Sequence, residues 1–396
     1  MKKLLIGGSP CTHWSIAKQH GRETEASGLG WELFMNYVKA KELFQPDFFL
    51  YENNKSAAPA IKEQIHRMLG GSLTYINSAL VSAQNRERFY VTNTDIPQPE
   101  DRGILLRDVL LPQREREREY RLDVLNRPHT SEGCIRLGTI ENSAARKELD
   151  SQQYRVYSPE GKSVTLCGNG GGVGAKTGLY FTPLSEKEMN YELRTAKSGK
   201  THLGYRHHHD SMDDKAKCLV SNLCRGVPYN VLADHRVGLY ENMPIYSVRN
   251  GMMEFKGQLY KVPLRDGDYV IRKLLPVECE RLQTLPDGYT YGVSDTQRYK
   301  CLGNGWTAEV IIHILRHLLL DIPRDERLVV LSMYDGIATG RYCLEQLGFT
   351  NVEYHAFEID PYAIKIAMNN YPDIIQHGDA FSVCDVSRVQ ALGKDN

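Results

Sequence analysis

Runs of apolar residues alternate with periodic amphipathic stretches along the first hundred positions. Lys3 to Gly8 is a short apolar run ending in Gly-Gly, which predicts a strand feeding a loop. Residues 12–30 are polar and glycine-rich, with no apolar period, and predict a long loop. Trp31 to Phe44 places Leu33, Phe34, Tyr37, Val38 and Leu43 at helical spacing, and Pro46 stops the helix. Asp47 to Tyr51 is a second apolar run, ending in Glu-Asn-Asn. Ala60 to Leu69 predicts a helix, and Tyr75 to Ala79 and Arg88 to Val91 predict two more strands. Strands that alternate with helices in this way predict an α/β sheet.

From Thr94 to about residue 270 the pattern degrades into short β-like runs, glycine clusters such as residues 168–174, and a histidine triplet at 207–209. This stretch predicts a separate, loop-rich domain, and its residues 114–121 predict a solvated, charge-alternating face. Periodicity returns at 307–320, a strongly apolar helix that follows a Gly-Asn-Gly loop. Arg327 to Met333 is a buried parallel strand by its continuous apolar run. Tyr334 to Gly340 turns into a helix that runs to Leu347. Val352 to Phe357 is the next strand, Pro361 to Tyr371 a helix, and Ile374 to Gln376 a third short strand. The boundaries that follow are 1–93, 94–270, 271–320 and 321–396.

Composition leaves this picture unchanged. Hydrophobic residues make up 41% and charged residues 25%, ordinary for a globular chain and against disorder or coiled coil. No apolar run approaches a membrane span, and Leu4 to Ile6 is too short for a signal-peptide core, which predicts a cytoplasmic protein. Nine cysteines without C-x-x-C pairs argue against a disulfide scaffold and a zinc ribbon. Three adjacent histidines cannot easily share one ion, so no metal is expected. Net charge is zero, but 101–270 has an excess of positive charges and 321–396 an excess of negative ones. A basic middle suits a phosphate-bearing partner.

The last seventy residues read strand, glycine-containing turn, helix, strand, acidic residue, the nucleotide-binding half of a doubly wound sheet. Glu358 ends the second of these strands and is placed for a ribose, and Asp379 follows the third and is placed for an amino group. Gly336 and Gly340 do not fit G-x-G-x-x-G, so an adenosyl ligand shorter than a dinucleotide fits better.

Further motifs sit on the other strand ends: Gly8-Ser9-Pro10-Cys11, Glu52-Asn53-Asn54, Gln84-Asn85-Arg86-Glu87-Arg88, residues 281–289 (RLQTLPDGY) and Gly303-Asn304-Gly305-Trp306-Thr307. Together they resemble the DNA (cytosine-5)-methyltransferase family over roughly residues 1–93 and 270–380. The loop YDGIATG (334–340) looks most like that of the animal de novo enzymes. The order departs from the family, in which the cofactor motifs come first. Here the Pro-Cys strand leads and the cofactor half closes, which looks like a circular permutation. Thr12, Asn54 and Trp306 also stand where many members have Gln, Val, and Ser or Val.

The resemblance implies a doubly wound, Rossmann-like S-adenosylmethionine methyltransferase sheet with an inserted target-recognition domain at 94–270. It implies that a Cys11 thiolate adds to C6 of a cytosine flipped out of duplex DNA. Glu52 would hold N3 and the 4-amino group, and Arg86 and Arg88, two apart on an extended segment, would share a face and orient the base and the glutamate. S-adenosylmethionine would lie against Tyr334, Asp335, Gly336, Ile337, Ala338, Thr339 and Gly340. Glu358 would take the ribose, Ile359 would pack on adenine, and Asp379 beside Ala380 would take the adenine amino group. Leu33, Asn304, Gly305 and Trp306 would close the pocket, with Asn304 on the amino-acid end and Trp306 as an apolar wall. Ser15, Lys18 and Arg22 in the long loop, with Gln84, Lys162 and Thr165, would contact DNA. Lys162 and Thr165 belong to a Thr-Leu element (161–166), of which 214–219 is a weaker echo. The expected partners are double-stranded DNA, bound by a monomer, and a separate restriction endonuclease in a prokaryotic or phage restriction-modification setting. No membrane partner is expected. An RNA cytosine-5 methyltransferase would use the same motifs, but the large middle domain argues for DNA. A catalytically silent DNA-binding paralogue is disfavoured by intact Cys11, Glu52, Arg86 and Arg88.

Overall fold

A computed structural model describes residues 1–14, 21–111, 122–140, 152–168, 178–183 and 245–384. Of Cys11 it describes the backbone. Ser15, Lys18, the glycine cluster from 169 onward, residues 114–121, the histidine triplet and 214–219 lie outside the described residues.

Two sheets organise the chain. The first has seven strands: β1 (Lys2–Gly7), β2 (Phe48–Asn54), β3 (Ser72–Asn77) and β4 (Glu87–Thr92) from the start of the chain. The second, described below, takes β5 to β12, and the first is completed by β13 (Leu328–Met333), β14 (Val352–Phe357) and β15 (Ile375–Gln376). Their order is β15-β14-β13-β1-β2-β4-β3. All pairings are parallel except those of β4, which runs antiparallel to both β2 and β3. Strands from the two ends of the sequence therefore meet at the centre, where Lys2 to Gly7 pair in register with Leu328 to Met333.

Both faces of this sheet are covered, which explains the continuous apolar runs. Leu4 and Ile6 with Leu328 and Val330 face one core, which includes Ile311, Ile314 and Leu315 of the helix Ala308–Leu318. Leu5 with Val329, Leu331 and Met333 faces the other, which includes Phe34, Tyr37 and Phe44 of the helix Leu29–Phe44 and Ile61 and Ile65 of the helix Pro59–Leu69. Burying each such side chain contributes about 1.5–3 kcal/mol. The helix Pro361–Asn370 begins with proline in its first turn, and the Asp360 carboxylate caps it by accepting from Tyr362 N at 2.9 Å.

The middle of the chain, expected as a separate loop-rich domain, has a sheet of its own among its described residues. Its described residues form one eight-stranded sheet. The strands are β5 (Leu122–Ser131), β6 (Cys134–Ile140), β7 (Arg155–Tyr157), β8 (Leu179–Pro183), β9 (Tyr246–Arg249), β10 (Met252–Phe255), β11 (Gln258–Lys261) and β12 (Gly267–Arg272). Most are only a few residues long, and β8 pairs with β12 far away in sequence, so no local periodicity announces them. Leu137, Val156, Phe181, Val248 and Ile271 fill a core of their own. At the end of β12, Arg272 makes a bidentate pair with Glu278 at 2.8 and 2.7 Å, both side chains fully buried. The same carboxylate accepts from Leu111 N and Leu275 N, which ties the returning chain to the strand it leaves. Among the described residues no helix is long and apolar enough to cross a membrane.

Candidate active site

The motif residues gather at the C-terminal ends of β1, β2, β13, β14 and β15. At the end of β1 the chain passes so close to β2 that a Cβ on Gly8 would stand 2.3 Å from the Glu52 carbonyl and 3.1 Å from Glu52 Oε2. Only glycine allows that approach. Three residues on, Cys11 opens a short 3-10 turn, Cys11–His13. Asn53 braces this loop: its Nδ2 donates to Ser9 O at 2.9 Å, to Ser9 Oγ at 3.3 Å and to Tyr51 Oη at 3.1 Å. The side-chain role of Asn53 was not read from the sequence, although it follows Glu52 directly in the motif.

The Glu52 carboxylate is held on both oxygens, by an ion pair at one and a hydrogen bond at the other. Arg88 Nε lies 3.1 Å from Oε1, and Trp306 Nε1 donates to Oε2 at 3.1 Å. Arg88 is brought there by register, since it pairs with Asn54 across the β2–β4 ladder. Arg86 does not share this position. It precedes β4, so strand alternation does not govern it. Its buried guanidinium donates to Leu166 O at 3.3 Å, Gly303 O at 3.2 Å and Gly305 O at 2.9 Å. It joins the Thr-Leu segment to the loop that carries Trp306. Trp306, expected as an apolar wall, presents its polar edge to Glu52.

The residues expected to hold the cofactor lie at the ends of the adjacent parallel strands β13, β14 and β15. Tyr334, Gly336 and Ala338 all take left-handed backbone, with φ of 60°, 65° and 62°. Glu358 Oε2 accepts from Gly336 N at 2.8 Å, and its Oε1 accepts from Ile359 N and Asp360 N, each at 2.8 Å. Tyr334 Oη donates to Leu33 O at 2.7 Å, which joins the helix Leu29–Phe44 to this turn. Tyr289 Oη donates to Ile337 O at 2.9 Å and supports the turn from below. A Cβ on Gly340 would stand 2.4 Å from Ile6 Cδ1, so this glycine lets the helix after the turn sit directly on β1. Asp335 accepts from Ser332 Oγ and Tyr354 Oη, each at 2.7 Å, while its Oδ2 is buried without a partner. Burial pushes its carboxyl up to about 6, against the lowering effect of the two hydroxyls.

These residues fit an adenosyl cofactor. The space beside Gly336 and Gly378 is open, with no atom within 4 Å of an added Cβ. Ile359 is 69% exposed at the same strand ends, and Asp379 is exposed beside it while Ala380 is buried. Asn304 is exposed at the end of the helix Asp295–Asn304, its Oδ1 packed where a side chain on Gly168 would go.

Of the residues expected on DNA, Arg22, Lys162 and Thr165 have internal side-chain partners. Arg22 donates to Trp14 O at 3.0 Å and to Ser56 O. Lys162 is half-buried and donates to Ala79 O at 2.8 Å, Ser82 O at 3.2 Å and Ile104 O. Thr165 Oγ1 donates to Asn85 O at 2.7 Å. Gln84 is fully buried; its backbone bridges to Ser163, and its side-chain amide has no hydrogen-bond partner among the described residues. In this conformation the side chains of Arg22, Lys162 and Thr165 join the long loop and the Thr-Leu segment to the seven-stranded sheet and its loops. Glu23, not singled out from the sequence, anchors the far end of that loop: it accepts from Trp14 Nε1 at 3.1 Å and lies 3.3 Å from His13 Nδ1. A lone acidic residue in a polar loop carries no motif, so composition alone could not find it.

Comparison with known proteins adds an independent finding. The profile of C-5 cytosine-specific DNA methylases matches residues 2–319. The orphan methyltransferase M.SPRI of Bacillus phage SPR is 25% identical over 386 residues, covering 80% of this chain and 82% of that protein. The type II methyltransferase M.HhaI of Haemophilus parahaemolyticus is 27% identical over 200 residues, covering 45% of this chain and 59% of that protein. Among solved structures, the S. pombe Dnmt2 methyltransferase matches with a TM-score of 0.38 and 11% identity, covering 81% of this chain and 99% of that one.

Proposed function

The chain belongs to the C-5 cytosine-specific DNA methylase family and is a DNA cytosine-5 methyltransferase, and from that premise we propose how its own residues act. The substrate is a cytosine within a specific duplex sequence, flipped from the stack to reach the end of β1. The observation that carries the reading is the Glu52 carboxylate, held on both oxygens and set against the Gly8–Cys11 turn.

Cytosine C5 is a poor nucleophile. The Cys11 thiolate forms a bond to C6, and the C5–C6 π electrons then make C5 enamine-like. Glu52 shares a proton with N3 as negative charge builds there, and accepts from the 4-amino group. Arg88 holds that carboxylate in place. S-adenosylmethionine, when bound, supplies an electrophilic methyl group for C5. Glu358 would receive the ribose hydroxyls, Ile359 would pack on adenine, and Asp379 would accept from the adenine amino group. Tyr334 to Gly340 would supply the backbone that holds it, and Leu33, Asn304 and Trp306 would close the pocket. Loss of the C5 proton and departure of the Cys11 thiolate then restore the aromatic ring.

We read the chain as circularly permuted, with 321–396 as the cofactor half, 1–93 as the catalytic half, 94–270 as the target-recognition domain and 271–320 as the return. The central pairing of β1 with β13 supports this, because the cofactor strands and the Pro-Cys strand become neighbours through the sheet rather than through sequence order. The family match ends at residue 319, ahead of the cofactor strands. The eight-stranded sheet between the catalytic segments supports duplex DNA over RNA as the substrate. The match to a type II methyltransferase supports a cytoplasmic restriction-modification setting in which a separate endonuclease cuts the unmethylated site. Transfer of labelled methyl from S-adenosylmethionine to duplex DNA, compared with transfer to RNA, tests the reading. Labelled cytosine in duplex DNA is the expected result, and label confined to RNA would overturn it.

A further inference from the structure

We propose that Trp306 is a positioning residue for Glu52, working through its indole N–H rather than as an apolar wall. The inference rests on the reading of Glu52 as the group that holds the target cytosine. An indole is a donor only, so it can serve the carboxylate in one way, by donating to an acceptor oxygen. Trp306 Nε1 does so at Oε2, and Arg88 Nε occupies Oε1. One donor would leave the carboxylate free to turn about its last torsion. A hydrogen bond on one oxygen and an ion pair on the other, from residues far apart in sequence, fix its plane.

The indole is itself preset. Gly305, just before it, has its carbonyl bonded by Arg86 at 2.9 Å and by Gln283 Nε2 at 3.3 Å. Thr307, just after it, donates to Gln283 Oε1 at 2.8 Å and accepts from Ser78 Oγ at 2.8 Å. The backbone on both sides of Trp306 is therefore pinned to buried side chains. Arg86 also holds Leu166 O, so the Thr-Leu segment, the Trp306 loop and Glu52 form one connected set. A shift of that segment on DNA moves the donor on Glu52.

Among the described side chains, the other ionisable groups near Glu52 are Arg88 and Tyr90 on β4 and Tyr51 on β2, with Arg86 behind them. Burial pushes both phenols well above their ordinary range, so neither titrates near neutrality. Removing an N–H donor from a carboxylate disfavours its charged form. In Trp306→Phe that donor is lost from the Glu52 carboxylate.

The test uses the full chain on duplex DNA under single turnover, with Trp306→Phe and with 3-benzothienylalanine incorporated at position 306. The second replacement keeps the shape of the indole and exchanges only N–H for sulfur. Both are expected to slow methyl transfer about tenfold or more, the usual scale for a lost hydrogen bond to a charged group. Both are also expected to move the alkaline limb of the pH–rate profile to higher pH. The affinity for S-adenosylmethionine, measured by calorimetry, stays close to the parent value with benzothienylalanine and shows that the protein is folded. An unchanged rate and pH profile with benzothienylalanine, or a change confined to cofactor affinity, would overturn the proposal. A parent chain without methyl transfer to duplex DNA would instead reject the underlying reading.

Discussion

Arg88 Nε stands 3.1 Å from Glu52 Oε1, whereas Arg86, two residues earlier, turns its guanidinium to the carbonyls of Leu166, Gly303 and Gly305. The two arginines therefore fail differently when removed. Arg86→Ala leaves buried carbonyls without that donor and should lower stability by about 3 kcal/mol, read as a fall in the denaturation midpoint. Arg88→Ala should leave stability nearly unchanged and slow methyl transfer on the order of a hundredfold. Equal losses of stability in the two variants would contradict this division.

Asp335 couples stability to acidity. Its carboxyl is raised to about 6 in the folded chain, above its unfolded value, so the folded state binds the proton more tightly. Stability contributed by the protonated group is therefore complete below about pH 4 and is lost as pH rises to about 6. Asp335→Asn keeps an oxygen for Ser332 and Tyr354 and carries no charge. It should be more stable than the parent at pH 7 by on the order of 2 kcal/mol, with the advantage shrinking towards pH 4. Thermal denaturation at both pH values reads the difference.

The cofactor assignment makes a binding prediction. Glu358→Ala removes the acceptor for Gly336, Ile359 and Asp360 N–H as well as the proposed ribose partner. Asp379→Ala removes the proposed adenine partner. Each should weaken S-adenosylmethionine binding by about 1–3 kcal/mol, the scale of one lost hydrogen-bonding group. Glu358→Ala should be the more damaging because it also loosens the turn. Calorimetric titration measures both, and unchanged affinity in both would remove the cofactor from the ends of β14 and β15.

The permutation can be reversed in the laboratory. Asn396 joined to Met1 by a flexible linker, with the chain reopened between Leu320 and Asp325, preserves every pairing of the seven-stranded sheet. The reordered chain should fold and methylate duplex DNA. A folded but inactive product would contradict the permuted reading.

Much of the catalytic sheet could be read from the chain because its strands are buried on both faces and end in motif residues. Leu328 to Met333 is apolar throughout because helices cover both sides, and Tyr334 turns immediately after it. The middle sheet was not legible, since pairs such as Tyr180 with Arg272 join residues far apart in sequence. Side-chain direction was also hidden. Arg86 and Arg88 look alike in the motif, but only Arg88 lies within the ladder that sets its direction. Lys162 reads as a DNA contact by charge, yet three backbone carbonyls around it make it a fastener. Trp306 reads as apolar by size, and its donor edge becomes visible only beside Glu52.

The central claim is that this chain methylates cytosine through a covalent bond from Cys11. A duplex carrying 5-fluorocytosine at the target position tests it most directly, because after methyl transfer the fluorine cannot leave as a proton does and the adduct persists. With S-adenosylmethionine present, the parent chain should form a denaturant-stable complex, and peptide mapping should place the attached base on Cys11. Cys11→Ser should form none while binding S-adenosylmethionine as the parent does. A trapped base on another cysteine, or a trapped complex with Cys11→Ser, would contradict the account.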